Sequence, residues 1–358
     1  MESRPNLKDF SISALRERLA QDGFEPYRAD QVAHWLYARG VDDPQEMTNL
    51  AVAAREKLDR EWSTRALERV AVQHSEDGTI KAVLRAHDGA QVEAVVIPEE
   101  DRTTLCVSTQ VGCAMDCSFC ATAALGRGRN LSTAEIVDQV CRMRELVPPP
   151  REISNVVFMG MGEPLLNAGA VTDAVRILVD PKAFGMAPRR VTVSTVGIVP
   201  QIAPLLRAVP VNLAVSLHAA RDSVRDVLVP INRRYPLDVL LGALRGLDAI
   251  TPRRPVFFEY VLIAGVNDSV EDARRLPALL AGIPSKLNVI PMNPHADAPY
   301  RPPEKEVIDA FMGALARAGM RVTLRRSRGD DIDAACGQLA LREGRSTETL
   351  QVVKGPAR

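Results

Sequence analysis

Residues 103–123 read TTLCVSTQVGCAMDCSFCATA. A β-type run, Thr103–Ser108, gives way to a loop whose cysteines, Cys113, Cys117 and Cys120, follow the spacing C-x3-C-x2-C. The stretch divides two kinds of pattern. On its N-terminal side, VAVQHS, IKAVLRA and QVEAVVI are separated by turn material at Glu76–Gly78 and His87–Gly89, which predicts a small antiparallel sheet. On its C-terminal side strands and helices alternate. Strands are expected near Asn155–Met159, Arg190–Thr195, Val211–Leu217, Val256–Leu262, Leu287–Ile290 and Arg321–Leu324. The helices between them are Thr133–Leu146, Ala170–Val179, Pro200–Arg207, Leu237–Ala249, Val270–Ala281 and Lys305–Ala318, the first opening on the cap signal Ser132-Thr133-x-Glu135. Repeated βα order predicts a parallel sheet, open or curled into a barrel, with ligands at the C-terminal ends of the strands.

Residues 1–70 read as mostly helical, with Leu15, Leu19, Val32, Trp35 and Leu36 at helical spacings. A chain of 358 residues, 46% hydrophobic and 25% charged, can build a sizeable core and is not disordered in composition. No apolar signal region or membrane-length apolar run occurs, and the expected setting is cytoplasmic, with no membrane partner. Lys and Arg balance Asp and Glu at 45 each, but unevenly: residues 1–100 hold 13 basic and 19 acidic side chains, so the remainder carries the compensating excess of arginine. The pairs Arg189/Arg190, Arg233/Arg234 and Arg253/Arg254 and the run Arg325/Arg326/Arg328 are candidate phosphate contacts, or solvated loop charges.

Six cysteines, three packed between Cys113 and Cys120, do not form a spread-out disulfide framework and read as metal ligands. Structural zinc wants a fourth ligand and usually paired C-x2-C knuckles, while a four-iron cluster on three cysteines keeps one iron open. Gly160-Met161-Gly162-Glu163-Pro164 follows an apolar strand, and the Glu163 carboxylate can take an ammonium group or cap a helix start. Ser194, Ser216, Leu217, His218 and Asn293 stand at later strand ends, where a barrel mouth would gather them. On residue type alone, Cys106, Cys141 and Cys336 read as small buried apolar residues.

The C-x3-C-x2-C loop, with Phe119 before its last cysteine, resembles the signature of radical S-adenosylmethionine (SAM) enzymes. More narrowly, TTLCVSTQVGCAMDCSFCATA, RNLSTAEI, FMGMGEPLLN, RGDDIDAACGQL and the N-terminal FEPYRADQVAHWLYARGVDDPQEMTNL resemble the bacterial dual-specificity ribosomal and transfer RNA adenine-C2 methyltransferases. The likeness runs through essentially the whole chain, with one departure at AALGRG, residues 123–128. It implies a partial (βα)6 TIM-like barrel over residues 106–330, a helical RNA-binding accessory domain over 1–70, a β extension over 71–105, and a C-terminal segment, 331–358, that carries a methyl-bearing cysteine.

The resemblance further implies a [4Fe–4S] cluster on Cys113, Cys117 and Cys120, with two SAM per turnover. The cofactor's contacts would be Gly162, Glu163, Ser194, Ser216, Leu217, His218 and Asn293. Cys336 would carry the methyl group, Cys106 would resolve the RNA adduct through a disulfide, and Glu93 would accept the C2 proton from a strand end. Implied partners are 23S rRNA (adenine 2503), tRNA (adenine 37) and an electron donor such as flavodoxin or ferredoxin, for a monomeric enzyme. A C8-methylating sister enzyme conferring antibiotic resistance, and a non-catalytic zinc-stabilised RNA-binding protein, are the alternatives.

Overall fold

The computed structural model describes residues 4–295 and 298–341. Ten strands form one sheet whose spatial order follows chain order: β1 (Leu67–His74), β2 (Ile80–Ala86), β3 (Gln91–Pro98), β4 (Thr103–Cys106), β5 (Asn155–Phe158), β6 (Val191–Thr195), β7 (Asn212–Ser216), β8 (Val256–Leu262), β9 (Ser285–Pro291) and β10 (Val322–Leu324). Strands β1 to β4 pair antiparallel, and every pairing from β4 to β10 is parallel. The first two hairpins turn at Asp77-Gly78 and Asp88-Gly89, where each glycine takes a positive φ and each aspartate accepts the amide two residues on. β1 and β10 do not pair with each other, so the sheet stays open.

The expected antiparallel sheet is therefore not a separate unit. β4 pairs antiparallel with β3 on one side and parallel with β5 on the other, and the expected boundary at 105/106 falls inside it.

The helices are α1 (Ile12–Gln21), α2 (Arg28–Ala33), α3 (Val52–Glu61), α4 (Thr133–Arg144), α5 (Ala168–Val179), α6 (Val199–Ala208), α7 (Asp222–Leu228), α8 (Leu237–Arg245), α9 (Val270–Leu279) and α10 (Lys305–Arg317). A π-helical turn, His34–Arg39, continues α2. The capping box expected at the start of α4 is formed: Ser132 Oγ accepts from the Glu135 amide at 3.1 Å, and Glu135 accepts from the Ser132 amide at 2.8 Å. Residues Thr133 to Met143 of this helix are all buried, because it lies between the sheet and the N-terminal helices.

Charge, as well as apolar packing, joins those helices to the sheet. The fully buried Lys8 ammonium meets Asp42 at 2.8 Å and Asp138 of α4 at 2.6 Å. The second Asp138 oxygen accepts the Ala66 and Leu67 amides, both at 2.9 Å, and so holds the start of β1.

Helix α7 was not expected. Four of its seven residues are polar, so its apolar stripe is too short to register as a period. It is anchored by Arg225, whose buried guanidinium donates to the carbonyls of Val196 at 2.7 Å, Ser216 at 2.9 Å and Leu217 at 3.0 Å, and to Asn232 Oδ1 at 2.8 Å. That arginine ties the ends of β6 and β7 together.

Candidate active site

A parallel sheet delivers every strand end to one rim, and the loops there enclose a cavity of about 930 Å³, counting its open mouth. Its floor comes from the concave sheet face. By register, Cys106, Val157, Thr192, Ser194, Ser216, Glu259 and Asn288 share that face, and so do Lys81 and Glu93 through β2 and β3.

Cys113, Cys117 and Cys120 all line the cavity. Backbone bonds shape their loop: the Cys113 amide donates to the Gly126 carbonyl at 2.9 Å, and the Ser118 amide to the Leu228 carbonyl at 3.1 Å. Asp116 adopts a left-handed φ of 52°, which tightens the turn between the first two cysteines. Within AALGRG, Gly128 passes so close to the Val111 carbonyl that any side chain there would overlap it.

Burial pushes the Cys113 thiol up to about 11 and raises Cys120, and it raises Cys117 well above the usual thiol range, with the two neighbouring cysteines adding to the effect. Three such thiols in one cavity fit a cationic group that would draw off their protons. Among the described residues no three His, Cys, Asp or Glu side chains converge on one point as ligands of a single ion would. A four-iron cluster does not ask for such a point, because it takes each thiolate on a different iron.

Glu163 is 2% exposed. Its oxygens accept the Leu165 amide at 2.9 Å, capping a short 3-10 turn, and the Val196 amide at 2.8 Å. Both readings of this residue thus have a structural basis, cap and ligand. Burial lifts its carboxyl to about 7, and only neutral donors oppose the lift. An incoming ammonium would supply the missing positive charge. Gly162, at φ 99°, lines the cavity, and an added Cβ would lie 2.6 Å from Gln110 Cβ.

Ser194, Ser216 and His218 also line the cavity. His218 has a left-handed φ of 57°, and its Nδ1 accepts the Val261 amide at 3.0 Å. Burial lowers it to about 3, so the ring is neutral and carries its proton on Nε2.

The structure departs from the expected contacts at four positions. The Leu217 side chain is fully buried away from the cavity wall, and its amide and carbonyl are engaged by Glu259 and Arg225. The Asn293 amide group donates to the Cys336 carbonyl at 2.9 Å and accepts from Ser327, so it grips the protein's own C-terminal segment. Cys106 shares the cavity's sheet face without lining the cavity, and burial pushes its thiol up to about 12, with Cys336 adding to the rise. Glu93 is neither at a strand end nor in the cavity wall: it is the third residue of β3, fully buried and 3.1 Å from the Lys81 ammonium.

Cys336 lines the cavity mouth with Gly337, whose carbonyl accepts the Ala121 amide at 2.7 Å, one residue beyond Cys120. All six cysteines are free thiols.

Sequence reasoning missed Glu259, and it read Arg325 as a phosphate contact or a solvated charge; both line the cavity, with the Arg325 guanidinium 3.8 Å from Glu259 Oε2. The signal for Glu259 was a lone carboxylate inside the apolar strand VFFEYVL. Of the arginine pairs, Arg190 donates to Asn155 at 2.9 Å and Arg254 to the Val211 carbonyl at 2.8 Å, as caps rather than free phosphate contacts.

A family model described as the Radical SAM superfamily matches residues 107–276, and one described as the ribosomal RNA large subunit methyltransferase N-terminal domain matches residues 5–63. Proteins named dual-specificity RNA methyltransferase RlmN are 48% identical to the chain in two bacteria. The one from Geotalea uraniireducens aligns over 93% of this chain and 96% of its own length, and that from Geobacter sulfurreducens over 95% and 93%. The crystal structure of a radical SAM methyltransferase from Sphaerobacter thermophilus superposes with a TM-score of 0.87 at 45% identity, covering 94% of this chain and 99% of that one. With three cysteines on one cavity wall, a buried carboxylate beside them and likeness over nearly its full length, the chain belongs to the dual-specificity RNA methyltransferases of the radical SAM superfamily.

Proposed function

We propose that the protein methylates C2 of adenine in RNA, acting on 23S rRNA (adenine 2503) and tRNA (adenine 37), with Cys336 as the carrier of the methyl group. The observation that carries this reading is the arrival of Cys336, from the far end of the chain, at the cavity lined by Cys113, Cys117 and Cys120. Adenine C2 is an electron-poor carbon without a lone pair, so displacement on SAM cannot methylate it. The family's [4Fe–4S] cluster and two SAM molecules, when bound, supply a methyl group and a deoxyadenosyl radical.

Cys113, Cys117 and Cys120 would hold the cluster, and Glu163, with Gly162, would receive the cofactor's ammonium. Ser194, Ser216 and the Nε2–H of His218 would orient the rest of the cofactor. Cys336 would accept a methyl group, lose one of its hydrogen atoms to the deoxyadenosyl radical and bond to C2 through that carbon; with the unpaired electron left on the ring passing to the bound cluster, Glu93 would take the C2 proton. The Cys106 thiolate would then attack the Cys336 sulfur, and the carbon–sulfur bond would break with its electron pair going to the carbon, which takes up a proton to become the methyl group of the released base; the disulfide left behind is reopened by external thiols. Cys106 and Glu93 share the cavity's sheet face, which supports these roles. The N-terminal helices would dock RNA, and a flavodoxin or ferredoxin would deliver the electron to a monomeric enzyme. No helix among the described residues is long and apolar enough to cross a membrane.

The test is nucleoside analysis of RNA from cells with and without the gene. 2-Methyladenosine should vanish with it, and 8-methyladenosine in its place would overturn the choice of carbon. Protein purified without oxygen should hold iron and sulfide, and zinc in their place would overturn the radical chemistry.

A further inference from the structure

Lys81 and Glu93 face each other across β2 and β3 at 3.1 Å, 2% and 0% exposed. Taking such a pair out of water costs several kcal/mol, and an apolar pair of the same shape would suit a core better. Each member, however, has one further partner, and both partners lie in one segment. The Lys81 ammonium donates to the Asp333 carbonyl at 3.2 Å, and Glu93 Oε2 accepts the Leu341 amide at 3.2 Å. These two points bracket Cys336.

The same segment is pressed against the first hairpin on its near side. Ser75 Oγ donates to Asp331 at 2.5 Å, the Gly329 amide donates to Asp77 at 3.0 Å, and an added Cβ on Gly329 would stand 2.8 Å from Thr79 Cγ2. On its far side the segment meets Asn293 and the loop of the three clustered cysteines. The buried ion pair thus supplies one bond three residues before the reactive thiol and one five residues after it, while Asn293 and Ala121 bond Cys336 and Gly337 themselves.

We propose that Lys81 is a positioning residue that docks the Cys336 segment onto the sheet and, through Glu93, joins that docking to the residue assigned the C2 proton. This rests on the reading of Cys336 as the methyl carrier and of Glu93 as the base. While the segment is docked, Glu93 Oε2 accepts the Leu341 amide and Oε1 lies 3.1 Å from the Lys81 ammonium without a hydrogen-bond partner, so the Glu93 carboxylate is tied to the segment until the segment shifts. Docking also keeps the Cys336 thiol near Cys106, which sets the effective concentration of one thiol for the other.

The experiment uses cluster-loaded enzyme equilibrated without oxygen in glutathione buffers. The thiols of Cys106 and Cys336 and one glutathione disulfide interconvert with the protein disulfide and two glutathione thiols. The ratio is read by mass spectrometry after alkylation. Lys81→Met should shift the equilibrium toward the dithiol by on the order of tenfold, and Lys81→Arg should restore most of it. An unchanged ratio in a folded Lys81→Met enzyme would overturn the proposal.

Should Lys81→Met lose its fold by leaving Glu93 unpaired, Lys81→Met/Glu93→Gln removes both charges and is read in the same way, with the same two outcomes. The carrier assignment is tested apart from this. Wild-type enzyme without a methyl group on Cys336 would sink that assignment, while the disulfide ratio still decides whether Lys81 docks the segment.

Discussion

One sheet serves two purposes in its two halves. From β4 to β10 the strands run parallel, so every loop after a strand lands on one rim, and the cysteines, Glu163, Ser194, Ser216 and His218 collect there. From β1 to β4 the strands alternate in direction and their turns fall on both rims, and the open groove beside β1 and β2 is lined by Arg65, Arg69 and Arg85 with Glu68 rather than by cysteines. The buried charges of these strands hold another part of the chain, with Lys81 and Glu93 on the Cys336 segment, and the first hairpin turn holds Asp331 and Gly329. Parallel strands gather chemistry at a mouth, whereas antiparallel strands offer a broad face on which another part of the chain can be laid.

The difference is most directly broken by removing a cluster ligand from the parallel half. Cys117→Ser should leave purified protein with little iron and no reductive cleavage of SAM, while its thermal unfolding stays cooperative. Retained cleavage would mean that the three cysteines do not act as a set. Buried charge outside the cavity should behave in the opposite sense. Asp138→Asn leaves Lys8 half-paired beneath the N-terminal helices and should cost about 3–5 kcal/mol in denaturant unfolding; a cost below about 1 kcal/mol would place that network among ordinary surface ion pairs.

The cavity's own carboxylate should respond to pH. Glu163, lifted to about 7 by burial, must be ionised to receive an ammonium group, so protonation competes with the ligand. SAM affinity should therefore hold above pH 7 and weaken roughly tenfold for each unit below it. Glu163→Gln should bind weakly with a flat profile, and calorimetry across pH 5.5 to about 8.5 reads both. The smallest effect is expected on the cavity floor. Glu259 has one buried oxygen without a hydrogen-bond partner, so Glu259→Gln should change unfolding free energy by less than about 1 kcal/mol. A large loss would make Glu259, like Asp138, a structural charge.

Much of this was legible in advance because it is written in local pattern. The Asp-Gly turns, the capping box before α4, the C-x3-C-x2-C loop and the βα alternation are short-range signals, and each appears where the residues call for it. α7 escaped because a buried arginine, not an apolar stripe, holds it. Lys81 escaped because in IKAVLRA an alternating lysine reads as a solvent-facing position, yet it is 2% exposed.

The sequence by itself determined the order of strands and helices, the three-cysteine loop and the strand-end residues, since these depend on neighbours a few positions apart. Only the tertiary structure decided that the antiparallel and parallel strands share one sheet through β4. It also decided that Glu93 pairs with Lys81 on the cavity's sheet face but outside the cavity wall, that Asn293 holds the protein's own chain, and that Cys336 meets a loop more than 200 residues earlier. Such pairings arise from burial and register between distant segments, and no local period encodes which two distant residues will meet.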